Sequence, residues 1–317
     1  MSEQTRDPEK LLLWLEWTVI RRLDGLLHGD YRSLFRGFGV DLADLREYQF
    51  HDDVRHIDWN VTARLQTPYV RVYTEDRDVT AWFLLDLSPS VSFGSERVEK
   101  RSVAVQFVTL LARLLSRHGN PAGALFYGDR VDTVIPARSG RRHVLHLLGR
   151  MMSRPERKRS APTNLKELLQ TGRQVIPRRS LVFVVSDFIS APGWEQALAL
   201  LARRHEVVAI RLYDPLEMEL PDLGLLVFED SETGETQWVD TGDRGFRMRF
   251  AAAARGRENA LRSAFSDAGV DALELSTTDD LVDAILRFAD LRKRRRQLSA
   301  GGSLPRHLGG RHVVPVA

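Results

Sequence analysis

Val79-Thr80-Ala81-Trp82-Phe83-Leu84-Leu85-Asp86-Leu87-Ser88-Pro89-Ser90 is a continuous apolar run that stops at an acid and two hydroxyls. A run without polar alternation suits a strand buried on both faces of a parallel sheet, rather than one with a wet face. A second run of the same kind, Ser180-Leu181-Val182-Phe183-Val184-Val185-Ser186, also ends in an acid, Asp187. Around these two the chain alternates. A helix is predicted over Val98 to Ser116, with Val105, Val108, Leu111 and Leu115 on one face, and a strand over Ala122 to Tyr127. Helices over 141–152, 165–175 and 193–204 follow, then a strand over Val207 to Leu212. A hairpin over 225–239, turning around Glu232-Thr233-Gly234-Glu235, precedes a helix over 243–268, a short strand Ala272 to Leu275 and a last helix from Asp280. The fold class expected is α/β, a doubly wound and mostly parallel sheet flanked by helices, Rossmann-like in its layering.

Ahead of the first run, Leu12, Leu15, Val19, Leu23 and Leu26 recur near helical spacing, with Trp14 and Trp17 alongside and Gly29 as a stop. This reads as a helix packed on the domain. Glu16, Arg21, Arg22 and Asp24 interrupt the apolar stretch Leu11 to Leu27, so it cannot span a bilayer. The acids Glu3, Asp7 and Glu9 in front of it do not suit a signal peptide, and a cytoplasmic protein is expected. Between Val40 and Tyr73 the pattern is β-rich, as in Tyr69-Val70-Arg71-Val72-Tyr73. The expected organisation is an N-terminal helix (1–29), a β-rich extension with a charged motif (30–76), the α/β domain (77–296) with a hairpin insertion near 216–240, and a Gly/Ser/Pro-rich flexible tail (297–317).

The composition of the 317 residues, 43% apolar and 28% charged, is ordinary for a globular protein with a sizeable core. The formal charge is only +3, and Arg292-Lys293-Arg294-Arg295-Arg296 holds much of the basic excess, so a surface coated for nucleic acid is not expected. That run reads as a solvated helix end, with weak anionic-surface binding as its alternative. The absence of cysteine excludes disulfides, thiolate metal sites and cysteine nucleophiles.

Ligands of open α/β sheets sit beyond the carboxyl ends of the strands, where Asp86 and Asp187 are delivered. Two carboxylates at one edge repel unless a cation or proton lies between them. Ser88 and Ser90, on alternate positions after Asp86, add hydroxyl oxygens, and an oxygen-only donor set suits Mg²⁺. This Asp86-x-Ser88-x-Ser90 pattern after a buried strand resembles the metal-ion-dependent adhesion site of von Willebrand factor A-like domains. The resemblance implies a Thr from a middle loop, matched by Thr163 in Ala161-Pro162-Thr163-Asn164-Leu165, and an Asp from the next central strand, matched by Asp187. It implies Mg²⁺ or Mn²⁺ held by Asp86, Ser88, Ser90, Thr163 and Asp187. Helix capping is the plainer reading of Asp86 and Ser88.

A second resemblance rests on Leu45-Arg46-Glu47-Tyr48, Asp52-Asp53-Val54-Arg55-His56-Ile57-Asp58-Trp59 and Thr62-Ala63-Arg64, with Glu274-Leu275-Ser276-Thr277 and Asp279-Asp280-Leu281 near the end. These resemble the family called domain of unknown function 58, whose members are associated with MoxR-type AAA+ ATPases. Read from its residues, the charged segment is a structural clamp. Arg46, Arg55 and Arg64 pair with Glu47, Asp52, Asp53 or Asp58, and Trp59 serves as a packed anchor. A metal site from His51, Asp52, Asp53, His56 and Asp58 matches no compact motif.

The function expected is a non-enzymatic, metal-dependent protein-interaction module. The resemblance implies a MoxR-like AAA+ ATPase as partner, with a client presenting Glu or Asp. The alternative from another class is a metal-assisted hydrolase or phosphatase using Asp86. No Gly-x-Ser-x-Gly elbow and no P-loop is present to support acyl or nucleotide chemistry.

Overall fold

The computed structural model describes residues 7–23, 40–49, 52, 54, 57–75, 79–95, 98–155, 162–229, 234–287, 290 and 307–308. Arg292–Arg296, the tail apart from His307 and Leu308, and His51, Asp53, Arg55 and His56 of the charged motif lie outside the described residues. The chain forms two compact units, one of residues 35–79 and one of residues 1–34 with 80–317.

The smaller unit pairs β1 (Val40–Glu47) with β2 (Tyr69–Glu75) antiparallel, across a helix α2 (Trp59–Leu65) that the sequence reading passed over. Asp58 starts this helix by accepting from the backbone N–H groups of Asn60 and Val61. Arg46 makes a two-pronged pair with Asp52 at 2.8 and 2.7 Å, so part of the expected clamp exists. Trp59 is not the packed anchor expected of it: it opens α2 and is 70% exposed.

The larger unit is mixed α/β around a mostly parallel sheet of seven strands, in the order β11-β10-β7-β6-β3-β4-β5. These are β3 (Ala81–Asp86), β4 (Ala122–Tyr127), β5 (Val131–Arg138), β6 (Leu181–Ser186), β7 (Glu206–Tyr213), β10 (Asp271–Ser276) and β11 (His307–Leu308). β3 and β6 are buried at every position and pair in parallel, and Phe83 stacks on Phe183 with ring centroids 5.2 Å apart. Such burial on both faces is what their unbroken apolar sequence requires. β5 runs antiparallel at the edge and alternates between exposed and covered positions, a pattern the sequence reading did not extract.

Helices cover both faces. On one lie α5 (Leu165–Val175), α6 (Trp194–Ala202) and α7 (Arg244–Asp267), sharing a core with Leu84, Val182, Val184 and Val207. On the other lie α3 (Lys100–Arg117), α4 (Arg141–Met152) and the N-terminal α1 (Pro8–Leu15). α1 runs on through a π-turn over Glu16–Ile20, burying Leu11, Leu12, Leu15 and Val19 while Trp14 and Trp17 remain exposed. α5 sits close to β3 because Gly172 offers no side chain: a Cβ there would fall 2.6 Å from Leu84 Cδ2. β8 (Leu225–Glu229) and β9 (Thr236–Asp240) form the hairpin, and a last described helix covers 281–287.

The strand order fixes the site. From β3 the chain builds outward through β4 and β5, then crosses to lay down β6, β7 and β10 on the opposite side. The reversal falls between β3 and β6, and the carboxyl edge at such a switch point is the crevice where open α/β sheets take their ligands.

Candidate functional site

Asp86 closes β3 and Asp187 follows β6 directly, so the two acids flank this crevice. Both are almost wholly buried, at 0% and 1% exposure. Asp86 Oδ1 accepts from the Ser88 backbone N–H at 3.0 Å, and its Oδ2 accepts from Ser186 Oγ at 2.7 Å. Burial pushes the Asp86 pKa up, to about 6, and the neighbouring charge of Asp187 adds to this, against the hydrogen bonds from Ser186 and Ser88. The plain capping reading fails for Ser88. It precedes a short 3₁₀ turn (Pro89–Ser92) without capping it through its side chain, and its Oγ lies 3.1 Å from Ser90 Oγ instead. Two buried hydroxyls are therefore turned to the same side, as their alternate spacing allows.

Thr163 comes from the loop before α5 and is 1% exposed. Its carbonyl accepts from the Ala191 backbone N–H at 2.8 Å and from Ser190 Oγ at 2.9 Å, tying its loop to the one that carries Asp187. The next backbone N–H, of Asn164, donates to the Tyr127 hydroxyl at the end of β4. Ala161 lies outside the described residues. The loop after β6 makes a sharp turn at Phe188, whose φ of +58° is rare for a bulky side chain. Ile189 N–H then reaches back to Asp187 Oδ1 at 3.0 Å, while the Phe188 ring packs on Trp194 and Phe265.

The sequence reading did not find Lys100. It opens α3, is 1% exposed, and donates to Asp187 Oδ2 at 2.8 Å and to Glu217 Oε1 at 2.5 Å. Burial works against its charge, but the two carboxylates outweigh that and hold its pKa above the usual lysine value. A side-chain ammonium thus balances one of the two acids, an option besides a bound cation or a shared proton. The signal was present: Lys100 shares the helix face of Val103, Ala104 and Phe107. A cation at a helix N-terminus also opposes the dipole unless something holds it.

Asp214 was also missed. It follows β7, so three neighbouring strands end in an aspartate. Its Oδ2 accepts from Ser95 N–H at 2.9 Å and Thr277 Oγ1 at 2.7 Å, and its Oδ1 from Leu216 N–H at 2.9 Å. Burial would raise its pKa, but these bonds, with Ser95 foremost, hold it below the usual carboxylate value. Asp214 positions the loop that continues from Ser90.

Chemically, the crevice gathers hydroxyl and carboxylate oxygens with one ammonium at their edge. No group of three or more His, Asp or Glu is placed to hold a metal among the described residues. An oxygen set with two acids and several hydroxyls is hard and weakly charged, which matches Mg²⁺ or Mn²⁺ better than a softer ion. The Ser88–Ser90 separation of 3.1 Å also fits. Adjacent corners of an octahedron with bonds of about 2.0–2.1 Å lie about 3 Å apart.

A mixed α/β protein with a polar crevice at the switch point of its sheet is the class these observations define. The family is given by the sequence: residues 44–260 match the model for "Protein of unknown function DUF58", and the chain belongs to that family. An uncharacterized protein of Mycobacterium tuberculosis is 36% identical over 280 residues, covering 88% of each chain. One from Mycobacterium avium is 35% identical over 169 residues, covering 53% of this chain and 98% of that one. Among solved structures, the conserved hypothetical protein BatB from Bacteroides thetaiotaomicron is similar at TM-score 0.42 and 14% identity, over 68% of this chain and 99% of that one. An aerotolerance-related membrane protein from Bacteroides fragilis is similar at TM-score 0.44 and 13% identity, over 68% and 99% of the two chains. No helix among the described residues of this chain is long and apolar enough to cross a membrane.

Proposed function

We propose that the crevice is an adhesion-type cation site on a von Willebrand factor A-like domain, and that the protein uses it to hold an acidic residue of a partner. Ser88, Ser90 and Thr163 would supply hydroxyl oxygens, and Asp86 and Asp187 the negative charge. The observation that carries this reading is the buried Ser88–Ser90 hydroxyl pair set beside two strand-end carboxylates on neighbouring parallel strands. When bound, Mg²⁺ or Mn²⁺ supplies a Lewis-acidic position open to a carboxylate oxygen.

The chain's own residues do the rest. Ser186 and the Ser88 backbone hold both oxygens of Asp86, which fixes its loop and leaves Asp86 poorly placed as a phosphoryl nucleophile. A binding role is favoured over hydrolysis for that reason. Lys100 steadies Asp187 and Glu217, keeping the crevice formed without an added ion. The partner proposed is a MoxR-type AAA+ ATPase, following the family resemblance, with a client that presents Glu or Asp.

Calorimetric titration of Mn²⁺ into the wild type and Ser88→Ala tests the site, with at least tenfold weaker binding expected in the variant. Size-exclusion chromatography with the ATPase, in Mg²⁺ and then in chelator, tests the partner. Complex formation that ignores both chelation and Asp86→Ala would rule out a cation-bridged contact.

A further inference from the structure

A cavity of about 290 Å³ opens directly beside Asp187. The strained loop after β6 forms one wall, with Phe188 and Trp194, and Leu261 and Ala264 of α7 form the other. Met218 also lines it. Most of this lining is apolar. Of its charged groups, Glu217 holds Lys100 and Glu195 accepts from the Gly193 backbone, while Arg257 is exposed. Arg211, 6% exposed, also lines the cavity and pairs through a terminal nitrogen with Glu258. Arg211 Nε is buried and finds no acceptor among the described residues.

We infer that this cavity is the specificity pocket of the docking surface: it takes a large apolar side chain of a partner peptide, close in sequence to the acidic residue held at the crevice. The inference rests on the adhesion-type reading for that acidic residue only. Three features argue for a peptide. The cavity is near the lower limit of about 300 Å³ for small-molecule pockets, a size that suits one or two side chains. Asp187 belongs to both the crevice and the cavity wall, so the two recognition points adjoin. In an extended segment, residues two apart lie on the same face about 6.6–6.8 Å from each other, a spacing that suits two adjoining points. The recognised sequence is therefore Glu or Asp, any residue, then a large aliphatic or aromatic residue, in either chain direction. The acid supplies orientation through the cation, and the apolar residue supplies discrimination among acidic segments.

The probe is a phage-displayed heptapeptide library with a fixed central Glu and all other positions random, selected in Mg²⁺ on the full-length protein. We expect Leu, Ile, Met, Phe or Trp to be enriched at least threefold two positions from the Glu, with elution by chelator. Leu261→Trp fills the cavity from its half-exposed rim, and that enrichment should disappear. In Ser88→Ala the requirement for the acid should weaken while the apolar preference persists. Selected peptides with no apolar preference, or a preference that survives Leu261→Trp, overturn the pocket and leave the cation reading standing. A selection indifferent to chelator that keeps the apolar preference supports the pocket and removes the cation reading. No enrichment over the starting library refutes both.

Discussion

Replacing Lys100 by Met keeps the length of the buried stem and deletes its charge. The ammonium meets Asp187 at 2.8 Å and Glu217 at 2.5 Å, and Lys100 and Asp187 are each 1% exposed at the side chain. Removing one partner of a buried pair strands the other as an uncompensated charge, which costs about 3–5 kcal/mol. Because Met fills the same volume, no cavity cost is added. Each kcal/mol shifts the midpoint of a domain of 150–250 residues by about 2–4 °C, so the metal-free variant should melt about 6–20 °C below the wild type. The second half of the prediction concerns Mg²⁺. A site filled at a hundred times its dissociation constant returns about 2.7 kcal/mol. An incoming cation is repelled by Lys100 in the wild type but not in the variant, so Mg²⁺ should bind the variant at least tenfold more tightly and close much of the gap in melting temperature. Differential scanning calorimetry in chelator and across a Mg²⁺ series measures both quantities. A variant within about 1 kcal/mol of the wild type in chelator would refute the stated role of the lysine. Equal Mg²⁺ shifts in the two proteins would refute its competition with a bound ion.

Three further outcomes are expected. His205, 3% exposed and with neither ring nitrogen bonded among the described residues, has its pKa lowered to about 4, by burial first and by Arg204 and Arg179 next. The unfolded chain takes up that proton below about 6.5 and the folded chain does not, so stability is present above that pH and lost as pH falls towards 4; His205→Leu should flatten this part of a denaturant-midpoint profile. Gly172→Ala should destabilise by about 1–2 kcal/mol in urea unfolding, as crowding against Leu84 outweighs the better helix propensity of Ala. Asp214→Asn should cost about 1–3 kcal/mol and raise hydrogen exchange at Ser95 and Leu216, whose amides its carboxylate now holds.

The two central strands were legible because burial on both faces leaves no room for polar alternation, and their terminal acids marked the edge where the site lies. The edge strand β5 carried the opposite signal, alternating burial, and was overlooked beside the stronger runs. α2 was missed because its seven residues bury nothing by themselves and so show no apolar stripe; its start was signalled only by the capping Asp58. Trp59 misled for a related reason, since a large apolar residue usually packs, yet the first turn of a short helix points it outward. At the site, Asp86, Ser88 and Ser90 declared themselves by spacing along one loop. Lys100, Asp214 and Glu217 did not, because each matters through partners about ninety to one hundred and twenty residues away, and one sequence read alone carries no record of such pairings.

Asp214 has a mechanical corollary. One carboxylate fastens the loop running on from Ser90, the short turn behind β7 and the hydroxyl of Thr277 past β10. Displacing any of them alone breaks a charge-assisted bond inside a dry interior, so the low-energy way to yield is for all three to travel together. A ligand tugging on the serine loop would thus be felt three strands away, at the doorstep of the last described helix.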